Sequence, residues 1–172
     1  MGTLHLTGPR GHHFTTVQEF LTQLPALLDA MARDPRCFVV VAEFDDVRYV
    51  QFWVEPTGGL IAEVISNRHL DAVRALSEHD EALLRAARWR EPTGSASPNW
   101  WTEARGLTEI PEVIEMATHA VQCVLGEDPT SRVTMRSWAL ARDAESSDHV
   151  RREARVAYHD ALRSLRRDLD GI

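Results

Sequence analysis

The sequence predicts an α+β domain, an antiparallel β-sheet with helices packed mainly on one face, followed by a C-terminal helix. Three observations predict it. The runs "CFVVVAEF", "RYVQFWV" and "LIAEVIS" are rich in β-branched and aromatic residues and are separated only by the turn-like "DD" and "EPTGG". Links that short join antiparallel strands. Segments with apolar residues at helical spacing precede and follow these runs. The chain of 172 residues is 44% hydrophobic and 26% charged, which is ordinary for a soluble domain with its own core.

Residues 1–13 read as a flexible leader, with Gly2, Gly8, Pro9 and Gly11. His5, His12 and His13 fall there, but adjacent histidines make a poor chelate without further ligands. The α+β domain is expected over residues 14–142. Its first helix is "TTVQEFLTQLPALLDAMARD". Thr16 and Glu19 match a capping box. Val17, Phe20, Leu24, Leu28 and Met31 form an apolar stripe, and Pro25 is expected to kink or divide the helix.

The three β runs come next. A two-residue turn at Asp45–Asp46 sets Glu43 opposite Arg48, a favourable charge pair. It also sets Val41 opposite Val50 and Val39 opposite Phe52. A five-residue second loop then sets Phe52 opposite Ala62. This register groups Cys37, Val39, Val41, Val50, Phe52, Val54, Leu60, Ala62 and Val64 on one apolar face that meets the helices. The other face carries Phe38, Val40, Ala42, Tyr49, Gln51, Trp53, Ile61, Glu63 and Ile65. That face is too apolar to be left in water. Phe38, Val40, Tyr49, Trp53, Ile61 and Ile65 are therefore the expected partner or dimer face, covered by a later helix, a second subunit or another protein.

"LSEHDEALLRAARW" is a second helix, capped by Ser77 and Asp80 and stopped before Pro92. "PNWWTEARG" is a short strand. Trp89, Trp100 and Trp101 cluster around this loop and form a candidate aromatic pocket. Alternation sends Trp100 and Trp101 to opposite faces, so the expectation is one inward indole and one outward. "TEIPEVIEMATHAVQCVLGEDP" is a third helix, with Pro111 in its first turn and Gly126 at its end. "RVTMRSW" reads as a further strand or an ordered crossing. Residues 147–172 then read as an amphipathic helix with Val150, Ala154, Ala157, Ala161 and Leu165 along one stripe.

Chemistry is sparse. Nucleotide-binding loops, hydrolase elbows and metalloprotease motifs are missing. All 19 basic residues are Arg, which excludes a catalytic lysine; a GC-rich genome accounts for this. Glu115, His119 and Cys123 recur every four residues on the third helix, but drift around it and do not close a metal site. Their simple reading is a solvated Glu, a half-buried His and a core-facing Cys. No catalytic residue, metal or cofactor is expected. The net charge of −7 argues against nucleic acid. Two cysteines and the lack of a long apolar run point to a cytoplasmic protein that does not engage membrane.

The order helix, three strands, helix, W-x-x-P, P-N-W and a helix ending in L-G resembles the type III secretion chaperone-like superfamily. It is similar to the YbjN and Tir-chaperone-like (TY-Chap) branch common in actinobacteria. The resemblance rests on "RYVQFWVEPTGGLIAEVISN", "LLRAARWREP", "SPNWWTE" and "IPEVIEMATHAVQCVLG", within residues 14–126. It implies a non-catalytic module, often a homodimer, that binds another protein through sheet and helix surfaces. The rival expectation is a small-molecule or enzymatic domain using the pocket near Trp89, Trp100 and Trp101.

Overall fold

A computed structural model of the chain describes residues 6–7, 13–33, 37–45, 47–54, 59–93 and 97–140. The expected C-terminal helix over 147–172 lies outside the described residues. Seven strands form one antiparallel sheet: β1 (Leu6–Thr7), β2 (His13–Thr16), β3 (Cys37–Glu43), β4 (Tyr49–Val54), β5 (Leu60–Val64), β6 (Trp100–Ala104) and β7 (Arg132–Leu140). The order across the sheet is β1-β7-β3-β4-β5-β6, with β2 also paired to β7. Three α-helices are described: α1 (Val17–Arg33), α2 (Glu78–Ala86) and α3 (Ile110–His119).

Two parts of the leader are thus in the sheet. Leu6 and Thr7 pair with Leu140 and Ala139, and His13 pairs with Met135. They supply partners to the outer edge of β7, whose backbone groups would otherwise be left open. "RVTMRSW" is a full strand rather than a crossing, and it lies between this edge and β3.

The helix boundaries follow their local signals. Thr16 and Glu19 close their capping box, with both backbone-to-side-chain bonds made. The next two amides of α1 donate to the carbonyls of Ser131 and Pro129, which ties the helix start to the loop before β7. Pro25 lies inside α1, a single helix that it does not divide. Ser77 and Asp80 form the second capping box. Beyond α2, Arg88 takes a left-handed φ of 66° and the Trp89 amide reaches back to the Leu84 carbonyl. This helix-ending geometry carries the Trp89 side chain back into the core, where it is buried. After α3 the chain makes one π-helical turn, Ala120–Val124, and Gly126 at φ 65° ends it.

The β3–β4 register differs from the sequence expectation by one residue. Glu43 pairs with Tyr49, Val41 with Gln51, Val40 with Phe52 and Val39 with Trp53. The loop is the cause. The Phe44 amide donates to the Arg48 carbonyl at 2.9 Å, which leaves three residues in the turn, not two. Asp45 holds this longer turn. Its Oδ1 accepts the amides of Val47 (2.8 Å) and Arg48 (2.5 Å), and its Oδ2 accepts the Arg48 guanidinium at 2.7 Å. Arg48 also donates to the Leu125 carbonyl at 2.7 Å and pairs with Glu127 at 3.1 Å. The loop is thereby fastened to the end of the π turn.

Because strand side chains alternate, this shift exchanges the sides of β3. Val40 and Ala42 join Val50, Phe52, Val54, Leu60, Ala62 and Val64. Val40 is therefore on the helix side, not on the expected partner face, and Phe38 shares its register phase. The β4–β5 register is as expected, with Phe52 opposite Ala62 and Val50 opposite Val64. α3 lies on this first face, since Thr102 Oγ1 donates to Met116 Sδ at 3.9 Å. α2 lies there too, with the Arg85 guanidinium 5.4 Å from the centre of the Trp100 ring. α1 packs against α3. The core between sheet and helices includes Phe20, Leu24, Leu28, Phe52, Leu60, Leu84, Trp100 and Val121.

The Asp45 clamp has a pH signature. Burial raises its pKa, but bonds from the Arg48 amide, Arg48 guanidinium and Val47 amide outweigh it and hold the carboxyl below its ordinary value of 3.8. A depressed folded pKa stabilises above the unfolded pKa, and that stability is lost as pH falls through the folded value. Asp45→Asn is expected to cost about 1–3 kcal/mol at neutral pH. In thermal melts from pH 7 downward, the gap between native and variant proteins should close as pH falls below about 4. A gap independent of pH would remove the charge from this account.

Candidate functional site

The second sheet face is built by the same register. It carries Val39, Val41 and Glu43 from β3, Tyr49, Gln51 and Trp53 from β4, Ile61 and Glu63 from β5, and Trp101 and Glu103 from β6. Ile65 continues β5 and donates its amide to the Tyr49 carbonyl at 3.3 Å. The face is a mixture of aromatic, aliphatic and polar groups, and the polar groups are joined. Gln51 Nε2 donates to Glu63 Oε2 at 2.5 Å. Asn99 Nδ2 approaches the Tyr49 hydroxyl at 3.0 Å and Glu63 Oε2 at 3.1 Å. Gln51, Glu63 and Asn99 are all buried. A buried carboxylate is costly unless it is bonded, and these amides provide the bonds.

The rim is charged. Arg90 and Trp101 exchange two backbone bonds, and the Arg90 guanidinium lies 4.4 Å from the centre of the Trp101 ring. Arg90 and Arg105 both pair with Glu103, at 3.2 and 3.0 Å. Burial raises the Glu103 pKa, yet its bonds and charge pairs with Arg105 and Arg90 bring it below the usual value. Arg136 on β7 pairs with Glu43 at 3.0 Å at the opposite side of this face.

The structure sorts the expected site residues into three groups. Tyr49, Trp53, Ile61 and Ile65 are on or continue the second face, as read, and are buried within the single chain. Val40, with Phe38 in phase, belongs to the helix side. Trp89, Trp100 and Trp101 do not form one pocket: Trp89 and Trp100 are buried, Trp100 on the helix side, whereas Trp101 is half-buried on the second face. Gln51, Glu63 and Asn99 form the polar centre. Gln51 and Glu63 were assigned to this face by alternation, but Asn99 was not, because its place beside Tyr49 depends on how β6 joins the sheet.

Elsewhere, Glu115 is exposed and His119 half-buried, as read, but Cys123 is exposed and not core-facing. Val113, Ala117 and Val124 define the inward stripe, and Cys123 lies off it. Among the described residues, no three His, Cys, Asp or Glu side chains gather to hold a metal ion. No described helix is long and apolar enough to cross a membrane.

The described helices thus lie on one side of the sheet, and the other side is mixed and hydrogen-bonded. The family whose model matches is TY-Chap3, described as T3SS (YopN, CesT) and YbjN peptide-binding chaperone 3, over residues 18–139. The chain belongs to this family of peptide-binding chaperones. No curated protein and no solved structure matches it.

The division of the tryptophans is measurable. Trp100→Ala is expected to cost about 3–5 kcal/mol and Trp101→Ala about 1–2 kcal/mol, because only the first removes an indole that is 1% exposed. Chemical denaturation of both variants checks this. Equal losses would place both rings in one environment.

Proposed function

We propose that the protein binds an extended segment of another protein along the second sheet face, without catalysis, as a cytoplasmic chaperone or adaptor. The observation that carries this is the composition of that face. It lies away from α1, α2 and α3 and carries Tyr49, Trp53 and Ile61, buried beside the amide and carboxylate groups of Gln51, Asn99 and Glu63, with half-buried Trp101 at its accessible rim. A sheet face of this kind suits a chain whose apolar and polar side chains alternate. Trp101 and its guanidinium cover give the rim an aromatic anchor of the type that concentrates binding energy. Membership of a peptide-binding family supports the same class of ligand.

The test is selection from a random peptide library displayed against the full-length protein. Enriched peptides are expected to alternate apolar and polar residues. Trp101→Glu should weaken their binding by about tenfold or more, equivalent to ~1.4 kcal/mol. Glu115→Arg, on the exposed side of α3, should leave it unchanged. Equal effects of the two substitutions would contradict the assignment of the face.

A further inference from the structure

Along β6 the second face ends in a row of accessible side chains. Trp101 and Glu103 stand on it at alternate residues, and Arg105 follows in the same phase. Arg90 is bridged to Trp101 and lays its guanidinium over that ring. Arg90 Nη2 and the Nε and Nη2 of Arg105 all donate to one oxygen, Glu103 Oε1, at 3.2, 3.2 and 3.0 Å. Two cations thus share one anion. The neighbouring acids are engaged differently. Glu91 bonds Arg85 at 2.5 Å, and Glu109 Oε2 accepts the backbone amide of Arg105 at 2.8 Å. The Arg90 and Arg105 side chains are 50% and 78% exposed, against 21% for Glu103. A guanidinium carries several N–H donors, and most of those on this pair are left for a second acceptor.

We propose that this rim reads one acidic side chain in the docked segment. The carboxylate seats between the Arg90 and Arg105 guanidiniums, and an apolar neighbour of the acidic residue packs beside Trp101. The inference rests on the function proposed above and adds the chemistry of the residue that the segment must carry.

A guanidinium fork matches a carboxylate in shape, and bonds between ionised partners are about twice as strong as neutral ones. The Trp101 ring restrains the Arg90 guanidinium, so less freedom is lost when a carboxylate arrives. Glu103 reports the local field. Burial raises its pKa, yet Arg105 and Arg90 hold its carboxyl below the ordinary range. The chain as a whole carries a net charge of −7. The arginine pair is a local exception to that charge, so it selects a single acidic residue and not an acidic tract.

The test follows the Trp101 indole N–H by NMR in the full-length protein while acetyl-Val-Asp-Val-amide, or its Asn counterpart, is added. The Asp peptide is expected to shift that resonance and to bind about tenfold more tightly than the Asn peptide. In the double variant Arg90→Gln, Arg105→Gln the difference should disappear. Arg88→Gln, which removes a guanidinium paired with Glu112 of α3, should keep it. No shift with either peptide, equal affinities, or an equal effect of Arg88→Gln would overturn the proposal. Library peptides without an enriched Asp or Glu would also overturn it, while leaving the binding role of the face intact. A library that enriches nothing would remove that role, and the NMR comparison would still decide the rim's preference.

Discussion

The carboxylate of Asp45 decides how the sheet is faced. It accepts two backbone amides and one guanidinium, and so holds three residues in the β3–β4 turn. A hydrogen bond to a charged group contributes about 1.5–3 kcal/mol. The competing two-residue turn offers a cross-strand Glu43–Arg48 pair at about 0.2–1 kcal/mol. The clamp wins on magnitude alone. It also releases Arg48 to bond the Leu125 carbonyl and pair with Glu127 at the end of the third helix. Burial keeps the Glu127 carboxyl above its ordinary pKa despite Arg48, and Asp45 adds to the rise. The cluster is thus two acids competing for one guanidinium, with Asp45 the better served.

Everything on the two faces follows from that turn. Val40 and Ala42 complete the apolar layer under α1, α2 and α3 with Val50, Phe52 and Val64. Val39 and Val41 are left to flank Gln51, Trp53 and Glu63 on the other side. The helices therefore meet a largely apolar surface, with Thr102 as a polar member that bonds Met116 of α3. The second face keeps the polar and aromatic groups: the phenol of Tyr49, the amides of Gln51 and Asn99, the carboxylates of Glu43, Glu63 and Glu103, and the indoles of Trp53 and Trp101. The pleat of the sheet separates the apolar side chains from the mixed ones.

Much of this was legible in the sequence because it is local. The two capping boxes, Pro111 and Gly126 mark helix ends through bonds within a few residues of each other. Opposite placement of Trp100 and Trp101 follows from strand alternation. The β3–β4 register was not legible, because a side-chain clamp at Asp45 competes with a turn of different length and both are compatible with "EFDDVR". Strand pairing of Leu6 and Thr7 with residues 140 and 139 is non-local and has no periodic signal in two residues. Asn99 was missed for the same reason: its partners, Tyr49 and Glu63, lie 50 and 36 residues away. Exposure of Cys123 depends on where the inward stripe of α3 is centred, which the tertiary contacts decide.

β3 faces the way the Asp45 turn dictates, so that one sheet face builds the core under the helices and the other carries Tyr49, Gln51, Trp53 and Glu63. Nuclear Overhauser contacts between opposed backbone protons test it most directly. The account predicts close contacts of Val41 with Gln51 and of Val39 with Trp53. Contacts of Val41 with Val50 and of Val39 with Phe52 would return the strand to the other register, and would contradict the make-up of both sheet faces.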